Sequence, residues 1–131
     1  MQKLILDTNL IISSLIQKNY PYLIVDHYIE GNATICLSTP LQKEYFEVLN
    51  RPKFSSFLDF KSNADFLLVR LIEIADFYEP TLKLNVIKDE PDNRLLELAH
   101  ISNANFIITG NTTDFTMKLY NKTKIVTPKE Y

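Results

Sequence analysis

The chain has 131 residues, of which 46% are hydrophobic, and a formal net charge of −2 at pH 7. This length and composition suit one globular domain over residues 1–131, and the two glycines and six prolines exclude collagen-like and low-complexity sequence. The slight acidic excess argues against broad neutralisation of nucleic-acid phosphates, unless the acids are clustered around bound cations.

The single cysteine and the short apolar runs indicate the cellular compartment in which the protein is expected. Cys36 excludes an intramolecular disulfide and a thiolate zinc cluster, and its apolar surroundings at 33–37 predict a buried strand. The first apolar run, residues 4–6, meets Asp7 at once, which predicts no signal peptide, and no apolar run approaches the length of a membrane span. We therefore expect a cytoplasmic protein that does not enter membranes.

Short apolar runs alternate along the chain with longer segments of helical spacing. The runs predict five strands, at 4–6, 33–37, 84–87, 106–109 and 124–127, and the longer segments predict helices at 10–17, 22–30, 41–50, 64–77 and 92–102. This alternation predicts an α/β fold with three layers, α/β/α, around a central parallel sheet of about five strands. Because ligands bind beyond the carboxyl ends of such strands, the residues that follow each strand are the candidates for a site.

The first strand ends in three residues with oxygen-bearing side chains, Asp7, Thr8 and Asn9. Asp7 then lies at the carboxyl edge of the predicted sheet. The alternative is that Asp7 or Thr8 only caps the helix that follows.

Glu44 lies in the helix after the second strand. Thr39 is predicted to cap that helix and Gln42 to complete a capping box, so Glu44 is not needed for capping. Helical geometry puts Glu44 at the margin of the apolar face, from which its carboxylate can reach inward. The alternative is an exposed acid that pairs with Lys43 or Arg51.

Asp92 begins the apolar face of the last predicted helix. It precedes Leu95, Leu96 and Ala99 by three, four and seven residues, which puts an acid in line with a buried stripe. The alternative is an N-cap after Pro91.

A fourth polar group, residues 110–114, follows the strand at 106–109, although a hydrogen-bonded turn would use the same residue types. All four groups place oxygen atoms at one edge of the predicted sheet, a coincidence that capping does not require. Carboxylate and amide oxygens are the ligands of Mg²⁺ and Mn²⁺, and such ions lower the pKa of water and hold a phosphate. The sequence therefore predicts a site for one or two hard divalent cations.

The order and spacing of these motifs resemble the PIN-domain family, and within it the branch described as toxin components of bacterial type II toxin–antitoxin systems. The resemblance spans essentially the whole chain and rests on residues 4–9, on Glu44 with residues 48–54, and on residues 89–99, 107–111 and 125–128. It implies a Mg²⁺- or Mn²⁺-dependent endoribonuclease, a hydrolase that cuts RNA phosphodiester bonds with metal-activated water. It also implies a homodimer and a protein antitoxin that restrains it.

The resemblance assigns roles to individual positions. Asp7, Glu44 and Asp92 match the first three acids of the family's quartet and are the expected catalytic and metal-binding carboxylates. Asn9 and Thr109 match supporting polar positions.

The fourth position departs from the family's commonest pattern, because Asn111 stands where an acid is usual. Asn111 is the expected catalytic residue there, and Asp114 is a candidate replacement as metal ligand. The lost charge leaves single-metal catalysis and a catalytically degenerate binding or scaffold module as alternatives. Arg51, Lys53 and Arg94 flank the predicted edge and are candidates for binding RNA, with solvated surface charge as the alternative for each.

Overall fold

The computed structural model describes residues 2–16, 25, 31, 33–54, 59–80, 90–110, 119–120 and 122–130. Within these ranges, six strands form one sheet: β1 (Lys3–Leu6), β2 (Thr34–Leu37), β3 (Asp76–Phe77), β4 (Phe106–Ile108), β5 (Leu119–Tyr120) and β6 (Thr123–Val126). The strand order is β3-β2-β1-β4-β6-β5, and every neighbouring pair is parallel except β5 with β6. The predicted α/β fold with a mainly parallel sheet is confirmed.

Four helices are described in the same ranges: α1 (Thr8–Ile16), α2 (Thr39–Leu49), α3 (Phe60–Ile74) and α4 (Glu90–Ser102), with a 3₁₀ turn at Pro52–Phe54. The predicted strand at 84–87 lies outside the described residues, as does the predicted helix at 22–30 apart from Val25. No helix of the described segments combines the length and the apolarity that crossing a bilayer requires.

The helix predicted at 64–77 is wrong at both ends. α3 begins at Phe60, which is buried and stacks on Phe54 with ring centroids 4.9 Å apart. It ends at Ile74 because the next residues form β3, in which Asp76 pairs with Cys36 of β2. A strand of two residues is too short to show a period of two, so the sequence pattern could not separate it from the helix.

The core lies on both sides of the central strands. Leu4, Ile5 and Leu6 of β1 are all fully buried, and residues 35–37 of β2 are equally inaccessible. Because consecutive residues of a strand point to opposite faces, both faces of the sheet are covered. α4 packs on β1 and β2, and α3 packs on β2. The predicted burial of Cys36 in a strand is confirmed.

Candidate active site

The strand order reverses between β1 and β4, because β1 is followed by β2 on one side and has β4 on the other. In a parallel sheet this reversal opens a crevice beyond the carboxyl ends of the two strands, where ligands bind. Asp7 directly follows β1 and Thr109 directly follows β4. The amide nitrogen of Asp7 donates a hydrogen bond to the carbonyl oxygen of Ile108 at 3.1 Å, which holds the two strand ends side by side.

Asp7 is a buried carboxylate with a specific hydrogen-bond donor. Its side chain is only 6% exposed, and its Oδ2 accepts a hydrogen bond of 2.6 Å from Oγ1 of Thr109. Its backbone carbonyl accepts hydrogen bonds from the amides of Leu10 and Ile11, so Asp7 also occupies the N-cap position of α1. Burying a charged carboxylate is costly unless donors or cations compensate it, and Thr109 supplies one such donor.

Glu44 is tied to the residue next to Asp7. The hydroxyl of Thr8, which is 5% exposed, donates a hydrogen bond to Oε2 of Glu44. The side chain of Glu44 is 18% exposed, so it turns inward, as its helical position predicted. The carboxylate of Glu44 is therefore hydrogen-bonded to the residue that directly follows Asp7 in the chain.

Two contacts set the position of Glu44, one at the start of α2 and one within it. Ser38 rather than Thr39 is the N-cap, since the side-chain oxygen of Ser38 accepts the amide hydrogen bond of Leu41. Within α2, the hydroxyl of Tyr45 donates a hydrogen bond to the carbonyl oxygen of Leu6, the last residue of β1. This bond fastens the helix turn that carries Glu44 to the strand that carries Asp7.

Arg94 of α4 contacts the same glutamate. Its Nη1 lies 3.7 Å from Oε1 of Glu44, and its side chain is 34% exposed. Glu44 and Arg94 face a surface depression of about 330 Å³, whose lining is completed by Thr39, Pro40, Lys43 and Glu47. Glu44 therefore lies between the strand exits and a depression open to solvent.

Asp92 is the third residue of α4, so its backbone lies in the first helical turn rather than at the N-cap. Its side chain lies outside what the structure describes, and so do Asn111 and Asp114. Among the described residues, no group of three or more His, Cys, Asp or Glu side chains is placed to hold a metal ion. The oxygen donors that are described, the carboxylates of Asp7 and Glu44, are of the type that Mg²⁺ and Mn²⁺ prefer.

Three further candidates, Asn9, Arg51 and Lys53, are exposed. Asn9 is exposed in the first turn of α1. Arg51 pairs weakly with Glu47 at 3.9 Å, and Nζ of Lys53 lies 5.1 Å from the centre of the Phe54 ring.

The sequence does not predict the contact between Thr8 and Glu44. It makes Thr8 a candidate helix cap or one more polar side chain at the strand exit. The signal that could have revealed it is a hydroxyl residue between a strand-end acid and an apolar helix. Nothing in the order of residues relates Thr8 to an acid in another helix.

A family model described as the PIN domain matches residues 3–113. A protein of Methanocaldococcus jannaschii named "Uncharacterized protein MJ1680" is 31% identical over 139 aligned residues, covering 98% of this chain and 88% of that protein. A chain in the crystal structure of VapBC2 from Rickettsia felis, bound to a DNA fragment from their promoter, has the same fold. The TM-score is 0.62 at 15% sequence identity, over 96% of this chain and 98% of that one.

Proposed function

The chain belongs to the PIN-domain family, and on this basis we propose that it is a Mg²⁺- or Mn²⁺-dependent endoribonuclease that hydrolyses phosphodiester bonds of RNA. PIN domains are generally nucleases, and the proposal assigns that activity to the crevice between β1 and β4. The observation that carries it is the hydrogen bond of 2.6 Å from Thr109 to the buried Asp7, together with the bond from Thr8, the next residue, to Glu44.

The proposed metal-binding carboxylates are Asp7, Glu44 and Asp92. When bound, a divalent cation lowers the pKa of a water molecule and offsets the charge of the scissile phosphate. Asn111 takes the fourth catalytic position, and Asp114 is the proposed further metal ligand. The variants Asp7→Asn, Glu44→Gln and Asp92→Asn test the three carboxylates.

The chain's own residues orient this set. Thr109 donates to Asp7 and so fixes the direction of its carboxylate, while Thr8 does the same for Glu44. Thr109 and Thr8 are 2% and 5% exposed, so water competes weakly for these hydrogen bonds. A carboxylate that is already oriented loses less conformational entropy when it binds a cation.

We further propose that the protein is the toxin of a toxin–antitoxin pair, restrained in the cytoplasm by a protein antitoxin, and that it forms a homodimer. Support for the antitoxin comes from the neighbour of similar fold, VapBC2 bound to a DNA fragment from their promoter, and the homodimer rests on the family resemblance. Light scattering on the purified chain tests the homodimer. Co-purification with the product of the adjacent reading frame tests the antitoxin, and a monomer or an absent small DNA-binding neighbour would contradict these two proposals.

Cleavage of a fluorescent RNA, together with Mn²⁺ titration by calorimetry, tests the nuclease. We expect Mn²⁺ to bind the parent chain, a chelator to abolish cleavage, and Asp7→Asn, Glu44→Gln or Asp92→Asn each to lower kcat about a hundredfold or more. Asp65→Asn is the matched control, because Asp65 is an exposed acid of α3 whose partner is Lys61, 3.4 Å away.

Two results would overturn the nuclease proposal. One is cleavage by Asp7→Asn that equals cleavage by the parent in preparations free of contaminating nuclease. The other is a parent chain that binds neither Mn²⁺ nor Mg²⁺, and this result would favour the degenerate binding or scaffold module. The control keeps the comparison fair, since Asp65→Asn changes the net charge by the same amount.

A further inference from the structure

Arg94 contacts the carboxylate that is the proposed metal ligand of α2. Its Nη1 lies 3.7 Å from Oε1 of Glu44, while Thr8 donates to the other oxygen, Oε2. Two groups of the chain thus hold the two oxygens of Glu44. Thr8 is neutral and can keep its hydrogen bond beside a bound cation, but Arg94 carries a permanent positive charge.

A guanidinium and a divalent cation compete for one carboxylate. Glu44 is partly withdrawn from water, at 18% exposure, and a guanidinium and a divalent cation that both contact it repel each other by about kT or more. Binding of the cation is therefore linked to departure of Arg94 from Oε1. The apparent affinity for the cation is the intrinsic affinity multiplied by the fraction of time that Arg94 is away from Glu44.

The depression beside Glu44 can accommodate the guanidinium of Arg94 when it leaves Oε1. Arg94 is itself part of the lining, with Lys43 also at the depression. The acid Glu47 in the same lining is within 3.9 Å of Arg51, which offsets part of its charge. Once a cation neutralises Glu44, the remaining charges of Lys43 and Arg94 favour an anion there, and a guanidinium is well shaped to bind a phosphate.

We propose that Arg94 has two positions: it pairs with Glu44 until a divalent cation binds there, and it then turns into the depression to contact a phosphate of the RNA backbone. This inference rests on the proposed nuclease function. It makes Arg94 a competitor for the metal site and a ligand of the substrate at different stages. Metal binding and RNA binding are thereby coupled through one side chain.

Calorimetric titration with Mn²⁺ tests the first position, with Arg94→Gln, Arg94→Lys and Arg70→Gln compared with the parent chain. Removing the competing charge in Arg94→Gln should lower the Kd for Mn²⁺ about three- to tenfold. Arg94→Lys keeps the charge, so its Kd for Mn²⁺ should stay within about twofold of the parent value. Arg70→Gln is the control, since it deletes an exposed arginine of α3 that pairs with Glu73. The rise in Tm on adding Mn²⁺ should likewise be largest for Arg94→Gln.

Steady-state cleavage of RNA tests the second position. Arg94→Gln should raise KM about tenfold although it binds Mn²⁺ more tightly, because the phosphate contact is lost. Arg94→Lys should recover part of that loss. A purely structural role for Arg94 would weaken both kinds of binding together, so opposite shifts are the diagnostic result.

The outcomes separate this inference from the proposed function. If the parent binds Mn²⁺ through Asp7 but Arg94→Gln binds it equally or less tightly, the inference is wrong and the nuclease assignment stands. An unchanged KM in Arg94→Gln would also overturn it. If the parent binds no divalent cation, both fail. Should Arg94→Gln not fold, Arg94→Met removes the same charge while keeping the apolar stem, and the same criteria apply.

Discussion

Thr109 and Asp7 are 102 residues apart in the chain, yet Oγ1 of Thr109 donates a hydrogen bond of 2.6 Å to Oδ2 of Asp7. The bond spans the two strand exits at the switch point of the sheet, and both side chains are buried. A charged acceptor makes such a bond stronger than a bond between neutral groups. The orientation of the proposed metal ligand thus depends on a residue that carries no charge.

Thr109→Val should weaken cation binding without changing the shape of the side chain. Asp7 would lose a donor in a buried environment, so we expect the Kd for Mn²⁺ to rise about tenfold and the free energy of unfolding to fall by about 1–2 kcal/mol. Calorimetry and urea denaturation measure the two quantities. Thr109→Ser keeps the hydroxyl and should retain most of the affinity; equal losses in Val and Ser would contradict the role of the hydrogen bond.

Thr8→Val should release Glu44 from the exit of β1. Since Thr8 donates to Oε2 of Glu44, the variant removes a bond that orients the carboxylate, and we expect kcat for RNA cleavage to fall about tenfold. The matched variant Thr8→Ser retains the donor. Wild-type kcat in Thr8→Val, measured at saturating Mn²⁺, would show that Thr8 does not position the glutamate.

Tyr45→Phe should lower stability while leaving the hydrophobic packing of α2 in place. Tyr45 is 1% exposed, and its hydroxyl is bonded to the carbonyl of Leu6 at the end of β1. We expect a loss of about 1–2 kcal/mol in the free energy of unfolding, measured by urea denaturation. Tyr120→Phe, at the half-buried edge strand β5, is the comparison and should cost less. Equal effects would argue against a special role of the bond to Leu6.

Cys36 should make stability fall in alkaline solution. Burial raises the pKa of its thiol above the ordinary value of 9.0, so the folded chain keeps the proton that the unfolded chain releases. The contribution of this group is therefore fully present below pH 9.0 and is lost as the pH rises toward the raised pKa.

Urea denaturation on both sides of that pH measures the effect, and Cys36→Ala should reduce the slope even though its stability is lower throughout. The native thiol should also resist alkylation by iodoacetamide until the chain is denatured. Rapid alkylation of the native chain would show that the thiol is accessible and would contradict the burial argument.

Local patterns sufficed for the strands and helices that bury continuous or periodic apolar faces. β1 and β2 are short apolar runs, and such runs are typical of central strands in a sheet covered on both faces. The inward turn of Glu44 also followed from its angle on α2. These features depend on neighbours within one helix or strand, so the order of residues contains them.

Features that depend on distant parts of the chain had a different outcome. β3 pairs with β2 over only two residues, too few to show a repeating pattern. The cap of α2 is Ser38 rather than Thr39, and a difference of one residue at a helix end is likewise not expressed in a repeating pattern. The predicted helix at 64–77 consequently ran through β3. Residues 76–77 form a strand rather than the end of α3 because pairing with β2 stabilises it, which the local propensity does not express.

The sequence alone determined which residue types follow the strands: an acid after β1, a threonine after β4 and a glutamate at the inner margin of α2. Only the tertiary structure decided which side chains contact each other: Thr109 contacts Asp7, and both Thr8 and Arg94 contact Glu44. The reason is physical. A strand ends where its apolar run ends, whereas a hydrogen bond between residues 102 positions apart exists only after the sheet has brought β1 and β4 together.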